Sequence, residues 1–362
     1  MGRGEDRFEQ TLRLLPEGWE AKAKELGALQ RARKIQTPEE LLRLILLYLT
    51  EGKSFAGTSA IAALSGESAM SKVAVFKRMR ASAAWLQWLC ENIYRNGGFT
   101  AAKPKWLKKK NVIIVDGTED VKCGIRRQCY MLHYSLDLFT LAAREFLITD
   151  RRTGEKLTNF KRFGKNDIIM GDRIYGTLPG VAYIRRLKAD YALRINCRGF
   201  TIYDGKNRKI NLLLRLSRLK EGKIADIIGK CKINNRYEPF RICAMRKDSD
   251  SERAGLKRLT KTNQRKRGGR AVSDFQRENN KYIIVATSLK KDEATAAQVL
   301  ELYRTRWQIE IAFKRLKTLF HYNDLPAKNK ESVKAWFYGK LLLAALCETL
   351  VNTGRFSPSE EM

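Results

Sequence analysis

Histidine is nearly missing from this chain: His133 and His321 are the only two in 362 residues. The seven cysteines, Cys90, Cys123, Cys129, Cys197, Cys231, Cys243 and Cys347, are odd in number, scattered, and never spaced as CxxC. A His/Cys zinc centre therefore has no ligand set to draw on, and reduced thiols in a cytoplasm are the simplest reading. No run of about 18 apolar residues occurs, so no membrane-spanning helix is expected. The start, MGRGEDRFEQ, lacks an apolar core and does not read as a signal peptide. Acidic residues are scarce as well, 39 Asp+Glu against 71 Lys+Arg, for a formal net charge of +32. That imbalance argues against a neutral-metabolite enzyme and for a polyanionic partner, nucleic acid before an acidic membrane surface.

What is present reads as a soluble globular protein of about two domains, 44% hydrophobic and 30% charged. Residues 1–105 are expected to be a helical, DNA-binding N-terminal region. Thr37-Pro38-Glu39-Glu40 is a capping box with Pro at the first helical position. The Ala-rich segment from Thr58 to Leu64, the turn at Ser65-Gly66 and the Ser71-capped KVAVFKRMR have the outline of a helix-turn-helix. Lys72, Lys77, Arg78 and Arg80 would face DNA, or equally be a solvated surface; Trp85 and Trp88 read as core.

From 106 to 196 the pattern is α/β. Asn111 to Val115 is an apolar run ending on Asp116, and Asp167 to Gly171 repeats that pattern, ending on Asp172. Cys129 to Phe139 and Leu141 to Thr149 read as two further strands, Glu155 to Phe163 as a short helix, and Tyr191 to Ile195 as a strand after a helix. Residues 197–288 read as a β-rich insertion, with strands that include Ile210 to Leu216. It carries Arg253 to Arg270, whose eight basic residues and Gly268-Gly269 favour a mobile loop. Residues 289–362 return to helix. On one continuous helix from Leu302 to Phe320, Tyr303, Arg306, Glu310 and Lys317 fall in a stripe roughly 60° wide.

Asp116, Asp172 and Glu310 are the candidate catalytic set. Three converging carboxylates repel one another unless a cation neutralises them, and oxygen ligands select Mg²⁺ or Mn²⁺. Two such ions suit phosphodiester displacement on a phosphate-rich substrate. The plain alternative is that both Asp residues are ordinary turn residues after strands, and Glu119 and Asp120 are competing first ligands.

Tyr303, Arg306, Glu310 and Lys317 match the Tyr-Arg-Glu-Lys signature of bacterial insertion-sequence transposases of the insertion sequence 4 family. VDGTED at Asp116 and GDRIYG at Asp172 resemble that family's two Asp motifs, although Ile174 stands before Tyr175 where the family often has Gly. The resemblance covers about residues 37 to 350. It implies an RNase H-like catalytic core with a β-rich insertion between the second Asp and the Glu helix. It also implies that Asp116, Asp172 and Glu310 hold two Mg²⁺ (or Mn²⁺), and that Tyr303, Arg306, Lys317 and Arg173 contact phosphates. Tyr282 stands where relatives carry a Trp that receives a flipped base. The implied activity is DDE cut-and-paste transposition: end nicking, hairpin formation, and strand transfer from terminal inverted repeats into double-stranded target DNA. A homodimeric synaptic complex and a cytoplasmic, nucleoid-associated location go with it. A metal-dependent nuclease without strand transfer, or a non-catalytic DNA-binding regulator, are the other functions the sequence admits.

Overall fold

The computed structural model describes residues 7–51, 54–66, 70–95, 101–120, 130–266, 268–322, 325 and 329–352. Six helices come first: α1 (Arg7–Leu12), α2 (Trp19–Glu25), α3 (Pro38–Glu51), α4 (Phe55–Leu64), α5 (Lys72–Ala81) and α6 (Ala83–Arg95). The starts of α3, α4 and α5 are capped by side chains, those of α3 and α5 as expected. Thr37 Oγ1 accepts from Glu40 N at 3.2 Å, while Ser54 and Ser71 accept from Gly57 N and Ala74 N. Trp85 is wholly buried and donates through Nε1 to Trp19 O at 3.0 Å, so it is core, as expected.

Next come β1 (Asn111–Asp120), β2 (Tyr130–Asp137), β3 (Ala143–Asp150), β4 (Asp167–Gly171), α7 (Leu178–Arg186) and β5 (Asp190–Arg194). The following segment holds β6 (Ile202–Tyr203), β7 (Lys209–Ile210), α8 (Leu212–Leu216), β8 (Ile224–Ile233), β9 (Arg236–Arg246), α9 (Ser249–Lys266) and α10 (Asp274–Asn280). The chain then gives β10 (Tyr282–Thr287), α11 (Ala296–Arg304), α12 (Gln308–Thr318) and α13 (Lys330–Asn352).

All ten strands join one mixed sheet in the order β3-β2-β1-β4-β5-β10-β9-β8-β6-β7. β1, β4 and β5 are parallel neighbours, and the other pairings are antiparallel. Because side chains alternate across a strand, Val112 and Ile114 enter one core while Ile113 and Val115 enter the other. All four are at 0% exposure, about 1.5–3 kcal/mol each, which is why this run has no polar alternation. The first core is closed by α3, α6, α11, α12 and α13, the second by α7 and the strands of the 197–288 segment. α13 packs tightly on α3: a Cβ on Gly339 would lie 2.6 Å from Leu49 Cδ1, and Lys340 Nζ donates to Leu49 O at 2.6 Å.

Several sequence expectations need correction. Ile210 to Leu216 is not a strand: after β7, Asn211 Oδ1 accepts from Leu214 N and starts the short helix α8. The basic stretch expected to be a mobile loop lies mostly in the 18-residue helix α9. Asp248 Oδ1 accepts from Ser251 N at 2.7 Å, and Asn280 Nδ2 donates to Glu252 O at 2.8 Å. A cap and a tertiary contact therefore outweigh charge repulsion there. Glu155 to Phe163 holds only a three-residue 3₁₀ turn at Leu157–Asn159. The 197–288 segment mixes strands and helices and extends the main sheet, since β10 pairs with β5 and β9 with β10. β8 and β9 are joined by Asn234 and Asn235 at φ 47° and 63°, the left-handed pair that a two-residue hairpin turn requires. The expected continuous helix from Leu302 to Phe320 is interrupted by a 3₁₀ turn at Thr305–Trp307 between α11 and α12. No described helix is long and apolar enough to cross a membrane.

Candidate active site

One edge of the sheet collects the polar residues. β1 ends beside the start of β2 (Asp120 with Tyr130), which in turn pairs with the end of β3 (Asp150). On the other side of β4 and β5, the start of β10 pairs with the end of β9 (Tyr282 with Arg246). The parallel register sets Ile114 beside Met170, so two residues on, Asp116 and Asp172 fall level on neighbouring strands. Asp116 Oδ1 accepts from Gly117 N at 2.9 Å, and Asp172 Oδ1 accepts from Ile174 N at 2.8 Å. The GDRIYG turn is tightly packed. A Cβ on Gly171 would come within 2.9 Å of Tyr175 Cβ, and one on Gly176 within 1.8 Å of Arg194 O.

Glu310 joins from the first turn of α12. Arg306, in the 3₁₀ turn before it, donates to Asp116 Oδ2 at 3.4 Å and also to Glu310 Oε1. Burial pushes the Asp116 carboxyl up to about 6; Gly117 N–H opposes this, Asp172 and Glu310 add to it, and Arg306 opposes it. The three carboxylates therefore feel one another, and a single guanidinium bridges two of them. As donors they fit a hard divalent cation. Among the described residues, however, no three Asp, Glu, His or Cys close tightly enough to enclose an ion. With Arg306 inserted between Asp116 and Glu310, a metal has to displace its guanidinium. Glu310, 58% exposed in its side chain, is free to turn inward.

The rival first ligands are placed differently. Glu119 pairs with Arg151 at 3.0 Å, and the side chain of Asp120 lies outside the described residues. Tyr303 is buried, its hydroxyl has no hydrogen-bond partner, and it lies within the field of Arg194, Arg306 and Asp172. Lys317 is half-buried two helical turns beyond Glu310, about 10 Å along the axis. Tyr282 is fully buried in the second core, with the Arg246 guanidinium 5.3 Å from its ring centre. It shows no open face to a base. Lys72, Lys77 and Arg80 are exposed on α5, whereas Arg78 turns inward and donates to Arg31 O at 2.7 Å.

Beyond Asp172 along the same edge lies a cleft of about 430 Å³ lined by Arg173, Arg194, Lys247 and Arg258. The Nε atoms of Arg173 and Arg194 are buried without a partner. Burial, then Arg194, lowers Arg173 to about 10; burial, then Arg194 and Arg173, lowers Lys247 to about 8. Lys247 Nζ donates to the neutral Asn280 Oδ1 at 3.2 Å, so the cleft gathers cations that no carboxylate is shown to neutralise, a setting suited to an anion. Sequence reasoning passed over Arg194 and Lys247. Arg194 carried a signal: it ends a strand parallel to β4, as Asp172 follows β4. Trp307, half exposed beside Arg306, was missed too.

The chain matches the family model described as transposase DDE domain over residues 107–346. It is similar to the transposase for insertion sequence element IS421 of Escherichia coli, 32% identical over 344 residues, 93% of this chain and 91% of that protein. The same identity and coverage, over 343 residues, relate it to InsL for insertion sequence element IS186A of Escherichia coli (strain K12). A more distant similarity, 26% over 177 residues, joins it to the transposase for insertion sequence element IS231E of Bacillus thuringiensis subsp. finitimus, covering 47% of this chain and 37% of that one.

Proposed function

This chain belongs to the DDE transposase family and is an insertion-sequence transposase, and on that premise we propose that it moves its element by cut-and-paste. The steps are nicking at each end, hairpin formation, hairpin opening and strand transfer, carried out by a homodimer that pairs both terminal repeats. The proposed subgroup is the insertion sequence 4 family, on the Tyr303, Arg306, Glu310, Lys317 spacing. The observation that carries the reading is the sheet edge itself, where three carboxylates adjoin a cleft of unpaired cations.

DDE chemistry depends on divalent metal; Asp116, Asp172 and Glu310 are the proposed ligands for two Mg²⁺ or Mn²⁺. Bound there, the ions would activate a water or 3′-hydroxyl and neutralise the leaving oxygen of the phosphodiester. The protein's own groups do the positioning. Arg306 leaves its two carboxylates and takes the nonbridging oxygens of the reacting phosphate. Arg173, Arg194 and Lys247 hold neighbouring phosphates of the same strand, and Tyr303 donates its unpaired hydroxyl. Lys317 reaches the backbone farther along. Trp307 offers an exposed aromatic face for a base drawn from the stack at the hairpin step. The exposed α5 cations Lys72 and Lys77, with Arg78 holding the helix in place, read the terminal repeat from the helical region 1–105.

The test is a labelled terminal-repeat duplex incubated with protein and Mg²⁺ and resolved on a denaturing gel. Nicks, hairpins and joined products are expected in that order, and chelation should remove all three. Cleavage that persists after chelation, or at full rate in Asp172→Ala, sinks the proposal; nicks with no hairpin or joined product leave a nuclease.

A further inference from the structure

The catalytic edge has a second, larger opening that end recognition leaves unused. On the far side of the carboxylates from the cation cleft, a groove of about 1150 Å³ lies between the end of β3 and the first turns of α13. Its rim carries Arg151, Arg152, Lys330 and Lys334, and its floor includes Tyr130 and Ile148. The nearby carboxylates are committed. Asp150 accepts from Arg152 N and Thr153 N, Glu119 pairs with Arg151, and Glu331 pairs with Lys334 at 3.0 Å. Arg152 and Lys330 are exposed, and neither side chain has an ion pair among the described residues.

Position makes this more than a solvated charge patch. Tyr130 and Ile148 belong to the core that also packs α12, so the groove opens on the same face of the sheet as Glu310. From Asp116 to Asp120 and across to Tyr130 and Asp150 is four residues along the strands and two strands over. That is about 13 Å by about 10 Å, a span of roughly five base pairs of one strand. In strand transfer the attacking 3′-hydroxyl and the leaving oxygen stand on opposite sides of the phosphorus. The two duplexes must therefore approach the carboxylates from opposite sides.

We propose that the β3–α13 groove is the docking surface for the target DNA backbone, opposite the cleft that holds the transposon end. The inference rests on the strand-transfer reading above. Arg152 and Lys330 make phosphate contacts that fix the target's position and carry no base information.

The experiment uses the full chain with the charge reversal Arg152→Glu/Lys330→Glu and the milder Arg152→Ala/Lys330→Ala, thermal unfolding confirming that each folds. Nicking and hairpin formation on end DNA should stay within about twofold of wild type. Capture of a target duplex by protein carrying pre-cleaved ends should weaken at least about tenfold at 0.15 M salt. The slope of log K against log salt should become shallower by about 2. Unchanged target capture and slope overturn the proposal. Loss of nicking only on ends bearing flanking DNA, with strand transfer from pre-cleaved ends intact, also overturns it and assigns the groove to flanking donor DNA. Should wild type cleave nothing, the functional reading fails separately. Binding of a plain duplex by the same variants then still decides the groove, unchanged affinity counting against it.

Discussion

Two halves of one sheet edge are built alike and charged oppositely. On β1 the buried apolar run leads to Asp116, four residues before the strand ends, and β4 leads to Asp172, with Glu310 on α12 joined to Asp116 through Arg306. At β5 and β9, strands with buried central residues run out to Arg194 and Lys247. Each half is held away from its comfortable ionisation. Burial first, then the neighbouring carboxylates, raise Asp116 to about 6; burial first, then neighbouring arginines, lower Lys247 to about 8. Like charges crowded at a folded edge cost stability, and the two halves do not neutralise each other fully, since among the described residues only Arg306 bridges into the carboxylates. The difference shows what each half lacks. One wants a cation and the other a phosphate, and a metal-bound phosphodiester supplies both.

The largest effects should separate the halves cleanly. Asp116→Ala, Asp172→Ala and Glu310→Ala are each expected to lower end cleavage on the order of 10³-fold or more, as loss of a central catalytic group does. Binding of end DNA should stay within about threefold, because a carboxylate gives nothing to a phosphate. Glu119→Ala, which only releases Arg151, should be near wild type in cleavage. Arg194→Ala should instead lose binding and cleavage together. A dead Glu119→Ala beside an active Asp116→Ala would move the first ligand along β1.

Arg306 is the one residue that belongs to both halves. Arg306→Ala should lower the maximal cleavage rate about 10²-fold, the usual scale for removing one group that stabilises transition-state charge. It should also lower the Mg²⁺ concentration needed for half-maximal rate, because the competing guanidinium is gone. A Mg²⁺ titration gives both numbers. A higher Mg²⁺ requirement would show that Arg306 assembles the metal site instead of competing for it.

How legible each half was follows from how local its signal is. Asp116 and Asp172 end continuous apolar runs, and Arg306 and Glu310 are one helical turn apart, so a few neighbouring residues suffice to find them. The cation cleft depends on β5 lying beside β10 and β10 beside β9, pairings that no local pattern announces. For the same reason the 197–288 segment read as a separate β insertion, although it continues the main sheet. α9 was hidden by composition: its charge density reads as a loop, and only its cap and its contact with Asn280 make it a helix. The 3₁₀ turn at Thr305–Trp307 left no trace in the heptad-like spacing, yet it sets where Arg306 points.

A tenfold effect is expected from the outer wall of the cation cleft. Neutralising Arg253, Lys257, Lys261 and Arg265 on α9 should weaken all duplexes about equally and flatten the salt dependence. Neutralising Lys72 and Lys77 on α5 should weaken terminal-repeat DNA more than random DNA. Equal loss on both DNAs for α5 would reduce that helix to a nonspecific contact.

Lys247 sharpens the comparison at a few-fold. Lys247→Met keeps the length and removes the crowded charge, so the DNA-free protein should gain stability at pH 7, less the lost bond from Nζ to Asn280 Oδ1, while end DNA binds about threefold to tenfold more weakly. The pH dependence has a defined sign. Lys247 is lowered to about 8 from 10.5, so between those values the unfolded chain binds more protons than the folded one. Its contribution to stability is lowest below about pH 8 and rises as pH climbs through that window. Binding DNA near pH 8.5 should take up a proton, measurable by calorimetry in two buffers of different ionisation enthalpy; no uptake in wild type would remove Lys247 from the phosphate path.

The smallest effect is expected at Tyr282, which is next in sequence to the cleft-lining Ile283 but packs in the second core. Its ring is wholly buried, its hydroxyl accepts from Arg246 Nη1 at 3.1 Å, and Arg246 is held in turn by Glu252 at 3.4 Å. A base can reach that ring only if Arg246 and its partner move away. Tyr282→Leu is therefore expected to lower stability and to slow nicking and hairpin formation together, their ratio changing by less than about twofold. A base stacked on Tyr282 would be worth roughly 1–3 kcal/mol, or at least about fivefold in hairpin formation alone. The ratio of the two rates on one end DNA, with 2-aminopurine at the unstacked position, separates these outcomes. A selective hairpin defect would mean that the cleft opens around Tyr282 when DNA enters, joining it to the cation half as a working surface.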